Sequence, residues 1–166
     1  MAHSYNVLFL CRGNSARSIM AEALLSHYGE KYFRAFSAGS QPKGYVHPEV
    51  LNLLQDAEIP IDNLFSKTWD QFALPDAPKM DFIITLCHQA AGEDCPAWPG
   101  NPITAKWELS DPVQAVERGS PKAFRSAFHL LERRIQMFIA LIYGDPSREK
   151  LISSLDIIGR FTPESL

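Results

Sequence analysis

The sequence predicts an α/β protein: a single three-layer domain whose four-stranded parallel sheet carries helices on both faces. Three observations predict it. Short apolar runs alternate with segments of helical periodicity along the chain, the pattern of strands joined by crossover helices. The strand-like runs are apolar throughout, as expected where both faces of a sheet are covered. Finally, 166 residues with 46% hydrophobic and 21% charged side chains suit one globular domain with a sizeable core. The domain is expected to span 1–166, with a short C-terminal extension over about 145–166.

The elements follow in order. Tyr5 to Leu10 is a short apolar strand, bounded by the loop Cys11-Arg-Gly-Asn-Ser. From Ala16 to about Tyr28, Ile19, Met20, Ala23, Leu24 and Tyr28 recur at helical spacing, and Gly29 ends the helix. Phe33 to Ser37 is a second strand, broken by Ala38-Gly39-Ser40 and Pro42. His47-Pro48 opens an amphipathic helix carrying Val50, Leu51 and Leu54, which ends near Ile59-Pro60. Met80 to Leu86 is a buried strand and Ala105 to Leu109 a fourth. Ser120-Pro121 is expected to cap a long helix. Its stripe of Phe124, Phe128, Leu131, Ile135, Phe138 and Ile142 faces the core. Gly144-Asp145-Pro146 stops it, and a short terminal helix runs from about Arg148 to Ile158.

Composition excludes several function classes. The net charge of −3 gives no general footprint for nucleic acid or an anionic membrane, so any bound anion needs a local site. No segment approaches the ~20 apolar residues that span a bilayer, and the start has no basic region or signal-like core. Three cysteines are too few, and odd in number, for a disulfide scaffold, which points to the cytoplasm.

Cys11-Arg12-Gly13-Asn14-Ser15-Ala16-Arg17-Ser18 carries the chemistry. A cysteine, five residues and an arginine between a strand and a helix form an oxyanion cradle. Loop amides converge on one tetrahedral anion, and the helix start adds partial positive charge. Gly13 is expected to allow backbone geometry that other residues resist. Arg17 offers a planar fork for two oxygens, and the same field favours the nucleophilic thiolate of Cys11. Arg12 either reinforces anion capture or points to solvent.

Cys87 lies just past the Met80–Leu86 strand, hence on the same sheet edge as Cys11, and Cys95 follows in a polar stretch, Gly92-Glu93-Asp94. Their spacing matches no zinc site. They are either redox thiols or small buried hydrophobes.

VLFLCRGNSARS, the helix after it and then FSAG resemble the low-molecular-weight protein tyrosine phosphatase superfamily, with its Cys-x5-Arg-Ser/Thr loop and later Asp-Pro. The resemblance implies that fold, with a phosphate-binding loop after strand 1. It makes Arg12, Gly13, Asn14, Ser15, Ala16, Arg17 and Ser18 the substrate-binding residues and Asp111, in Asp111-Pro112, the general acid. The segment ITLCHQAAGEDCPAWPGNPITAKWELSDP further resembles arsenate reductases built on this fold. Where the phosphatases carry an aromatic after Asp-Pro, Val113-Gln114 stands here. The resemblance thus implies reduction of arsenate to arsenite, with Cys11 as nucleophile and Cys87 and Cys95 as successive exchange partners. Thioredoxin, or glutaredoxin with glutathione, would supply electrons. A phosphatase acting on phosphate monoesters through a phosphocysteine, and a non-enzymatic oxyanion-binding module, are the competing readings.

No cofactor is expected. Some thioredoxin-coupled relatives hold potassium near the loop through Asn, Glu, Ser and Asp. Asn14, Glu22 and Ser37 match the first three, but Lys67 falls at the fourth. Its ammonium is expected to replace the ion, with no metal requirement.

Overall fold

The computed structural model describes residues 4–87 and 96–163. Four parallel strands form the sheet: β1 (Tyr5–Cys11), β2 (Phe33–Gly39), β3 (Phe82–Thr85) and β4 (Ile103–Lys106), in the order β2-β1-β3-β4. The register sets Val7 beside Ala35 and Phe82, and Phe82 beside Ile103. The helices are α1 (Arg17–Tyr28), α2 (Pro48–Asp56), α3 (Pro112–Glu117), α4 (Ala123–Tyr143) and α5 (Arg148–Arg160), with a 3-10 helix at Trp69–Phe72.

Both sheet faces are buried, which explains why the strands lack alternation. Val7 and Phe9 point into the larger core, built with residues of α1, α4 and α5. Leu8, Leu10 and Ile83 point the other way, onto Trp69 and Phe72 of the 3-10 helix. All six stripe residues of α4, from Phe124 to Ile142, are buried as the periodicity predicts. Among the described residues no helix is long and apolar enough to cross a membrane.

Element ends differ from the sequence expectations for local reasons. β1 and β2 run on to Cys11 and Gly39, because these residues still pair with each other. β4 ends at Lys106, not Leu109: there Arg134 takes the carbonyls of Trp107 and Glu108, and the chain leaves the sheet. Ser120-Pro121 forms a turn ahead of α4, Ser120 O accepting from Ala123 N at 3.1 Å, and no side chain caps the helix itself. α3 was not foreseen, since six residues with one buried position carry no periodic signal. α5 begins where expected, with Ser147 Oγ accepting from Lys150 N at 3.2 Å.

Candidate active site

The chain order of the sheet reverses between β1 and β3, and ligands in open α/β sheets bind beyond the strand ends at such a point. Both strands release a cysteine there. Leu86 N donates to Leu10 O at 2.8 Å, so Cys87 follows one residue after the pairing that precedes Cys11. The two are 1% and 3% exposed. The next loop amide joins them: Arg12 N–H donates to Cys87 Sγ at 3.1 Å.

A chain of hydrogen bonds orients the loop from below. Asn14 takes the left-handed conformation, φ 44°, that its short polar side chain tolerates. Its amide Nδ2 donates to Ser18 Oγ at 2.7 Å and to Ser37 Oγ at 3.0 Å, while Oδ1 accepts from Lys67 N at 2.9 Å. Ser37 in turn donates to Glu22 Oε1 at 2.5 Å. Ser18 Oγ accepts from Asn14 and lies 2.8 Å from Cys11 Sγ, where either the hydroxyl or the thiol can donate. The carboxylate of Glu22 thus fixes Ser37 as its donor, and the network ends in the Ser18 hydroxyl against the thiol.

Lys67 closes this network from outside. Its Nζ donates to Ser37 O at 3.0 Å and Phe65 O at 2.8 Å, lies 3.8 Å from Glu22 Oε1 and sits over the Phe65 ring. Burial pushes the Glu22 carboxyl up and the Lys67 ammonium down, and each opposes the other's shift by attraction. The lysine thus stands beside Glu22 and Ser37 as the sequence comparison suggests, although it reaches Asn14 through its backbone amide.

The left-handed residue of the loop is Asn14 rather than Gly13, whose φ is not positive; the sequence expectation named the wrong position. Gly13 has a different use: a Cβ there would meet the Lys43 side chain, 3.2 Å from its Cε. At Gly39 a Cβ would come 2.4 Å from Arg12 O, so the FSAG glycine lets β2 pass against the loop.

Above the loop is a cavity of about 250 Å3, lined by Cys11, Arg12 and the residues through Arg17, with Lys43, Asp111, Val113 and Gln114. Arg17 starts α1 behind Ala16, which has no capping side chain, so the first-turn amides face the loop. Its Nη1 donates to Leu109 O at 3.0 Å, and Nη2 lies 3.9 Å from Asp111 Oδ2. Asp111 divides its carboxylate: Oδ1 caps α3 by accepting from Val113 N at 3.0 Å, and Oδ2 faces Arg17. Arg12 lines the cavity and donates from Nε and Nη2 to Gln41 Oε1, at 3.2 and 3.0 Å. Ser15 and Ser18 are buried, Ser18 behind the thiol. Cys95, with the stretch from 88 to 95, lies outside the described residues. Lys43 was not found from sequence, because it belongs to no motif and reaches the site only through pairing of its backbone with the loop.

Fold and site define a class: a parallel α/β protein with a cysteine at the floor of a cation-rimmed loop and a carboxylate across the cavity. The chain belongs to the low molecular weight phosphotyrosine protein phosphatase family, whose model matches residues 6–148. It is 36% identical over 138 residues to an arsenate reductase of Halalkalibacterium halodurans, covering 80% of this chain and 93% of that one. With an arsenate reductase of Bacillus subtilis it shares 34% over 109 residues, 66% of this chain and 75% of the relative. A thioredoxin-dependent arsenate reductase of Corynebacterium glutamicum superposes with a TM-score of 0.64 at 31% identity, covering 87% of this chain and 64% of that longer one. An arsenate reductase solved in its phosphate-binding state gives 0.68 at 29% identity, covering 83% and 98%.

Proposed function

We propose that the protein is a cytoplasmic arsenate reductase that turns arsenate into arsenite through a relay of three thiols and serves arsenic detoxification. The observation that carries the reading is the Arg12 N–H to Cys87 Sγ hydrogen bond, 3.1 Å long. A phosphoryl transfer through one cysteine has no use for a second thiol held against the nucleophile's neighbouring amide; a disulfide exchange does.

In this reading Arg17 and the loop from Arg12 to Ser18 hold three oxygens of arsenate, and the Cys11 thiolate attacks arsenic opposite the fourth. Asp111 protonates that oxygen as it leaves, and a sulfur–arsenic bond forms. Cys87 thiolate then attacks Cys11 Sγ. The new S–S bond takes two electrons from the thiols, and the pair of the breaking S–As bond stays on arsenic, which leaves as arsenite. Cys95 thiolate attacks Cys87 Sγ, frees Cys11 and leaves a Cys87–Cys95 disulfide for an external dithiol protein. Thioredoxin or glutaredoxin with glutathione serves as that donor; the resemblance to a thioredoxin-dependent enzyme supports the first. Val113 and Gln114 line the cavity beside Asp111, and among the described residues that line it there is no aromatic wall for a phosphotyrosyl ring.

The test is to follow NADPH consumption with arsenate in two arms, one with thioredoxin and its reductase, the other with glutathione, glutathione reductase and glutaredoxin. Turnover in either arm is expected. Inertness in both, with brisk hydrolysis of an aryl phosphate, would mark a phosphatase instead. Cys95→Ser should complete one stoichiometric turnover and then stop; sustained cycling would remove Cys95 from the relay.

A further inference from the structure

The rim of the cavity carries a cation that none of the loop chemistry uses. Residues 41 to 43 run beside the loop and pair with it: Gln41 N donates to Arg12 O and Lys43 N to Gly13 O, each at 2.9 Å. This fixes the Lys43 backbone. Its aliphatic stem then lies across Gly13, whose missing side chain leaves the berth; a Cβ there would stand 3.2, 3.3 and 3.5 Å from Lys43 Cε, Cγ and Cδ. The side chain lines the same cavity as Asp111, Val113 and Gln114. Among the described residues Lys43 Nζ makes no hydrogen bond or ion pair, whereas Arg12 is engaged by Gln41 and Arg17 by Leu109 O. Lys43 therefore brings a charge to the lining of the same cavity whose loop would enclose three oxygens of a tetrahedral anion.

We propose that Lys43 is a specificity-determining residue of this site: it contacts the outward oxygen of the bound anion and so favours a free tetrahedral oxyanion over a monoester. The inference rests on the reading of the loop as an oxyanion site and deepens it. The physical basis is a comparison at matched charge. Inorganic phosphate and phenyl phosphate are both largely dianionic above neutral pH, so long-range attraction treats them alike. They differ at the outward oxygen, which in the free anion bears charge or a proton and in the ester bears carbon. A lysine at the mouth makes a charge-assisted hydrogen bond to the first and crowds the ring of the second.

Anion binding can be read without turnover, as protection of Cys11 from iodoacetamide, quantified on the Cys11 peptide by mass spectrometry. At pH 8, Lys43→Gln should weaken protection by inorganic phosphate and by arsenate about five- to tenfold, the size of one charge-assisted contact at a half-open rim. Protection by phenyl phosphate should change less than about twofold, or improve. Lys43→Arg should restore the oxyanion constants. Equal weakening for phosphate and its phenyl ester would reduce Lys43 to general attraction and overturn the proposal, as would unchanged constants for all three anions. These constants stand apart from the reductase reading, which fails only if the wild-type protein turns over no arsenate.

Discussion

Replacing Lys67 by methionine tests whether the buried ammonium holds the floor of the site. The change keeps the stem volume and deletes two hydrogen bonds, to Ser37 O and Phe65 O, together with the ion pair to Glu22. Removing one partner of a buried pair typically costs about 3–5 kcal/mol, because the other charge stays behind. Here that charge can be neutralised by a proton, and this gives the deficit a pH dependence. Burial holds Glu22 above its ordinary 4.5, and the nearby ammonium limits the rise. Between 4.5 and its raised folded value Glu22 binds more protons folded than unfolded, so stability falls as pH rises across that window. Without Lys67 the folded value climbs further and the window widens. The deficit of Lys67→Met should therefore be about 3–5 kcal/mol at pH 8 and shrink toward pH 5, by up to about 1.4 kcal/mol per unit. Urea unfolding at four pH values for the wild type, Lys67→Met, Glu22→Gln and the double variant measures it. The double variant should be more stable than Lys67→Met at pH 8. A deficit that stays flat from pH 5 to 8, or a double variant no better than the single one, would refute the reasoning.

Other variants separate chemistry from scaffold. Asp111→Asn keeps a side-chain oxygen able to cap α3, so urea midpoints should stay put, while turnover falls by about 10²–10⁴ with the loss of the acid. Arg17→Lys keeps the charge but loses the fork that reaches both Leu109 O and the Asp111 side; phosphate protection of Cys11 should weaken by about tenfold or more. Gly159→Ala would ordinarily stabilise a helix by about 1 kcal/mol. Its Cβ, however, would sit 2.3 Å from Lys106 O, so calorimetry should instead show a lower Tm, reflecting about 1–3 kcal/mol of overpacking. Melting of the wild type in potassium and sodium chloride should coincide; a strong rise with potassium alone would mean that Lys67 does not replace an ion.

The parts legible in the sequence are those whose signal is local or periodic. β1, the loop and α1 occupy consecutive residues, and the stripe of α4 repeats from Phe124 to Ile142, so neither needs tertiary information. The left-handed backbone falls at Asn14 and not at Gly13 because φ in a tight loop depends on which side chain finds partners. Asn14 offsets its left-handed backbone with three side-chain hydrogen bonds, two donated to serines on different elements and one accepted from Lys67, partners beyond any reading of the loop alone. Lys43 was hidden for the same reason. It is distant from the motif in sequence and arrives by backbone pairing across 30 residues.

The segment that carries Asp111 shows how the end of the chain reaches the candidate site. Residues 107–111 form no regular element, yet three buried interactions set their course. Trp107 Nε1 donates to Leu155 O at 3.1 Å, and Gly159 allows α5 to press on Lys106 O. Arg134, 1% exposed, donates to Trp107 O and Glu108 O on one side and to Phe161 O on the other. Burial lowers its pKa to about 10, still far above neutrality, so the guanidinium remains a charged donor to carbonyls alone. Arg17 then takes Leu109 O. Two arginines thus grip successive carbonyls of one short segment, one from the end of the loop after β1 and one from the core beneath α5. The family match ends at residue 148, where α5 begins, so in this chain the segment leading to Asp111 is braced by a helix outside the matched span. Among the described residues α5 contributes none to the cavity lining, so these braces are what link the C-terminal helix to the placement of Asp111.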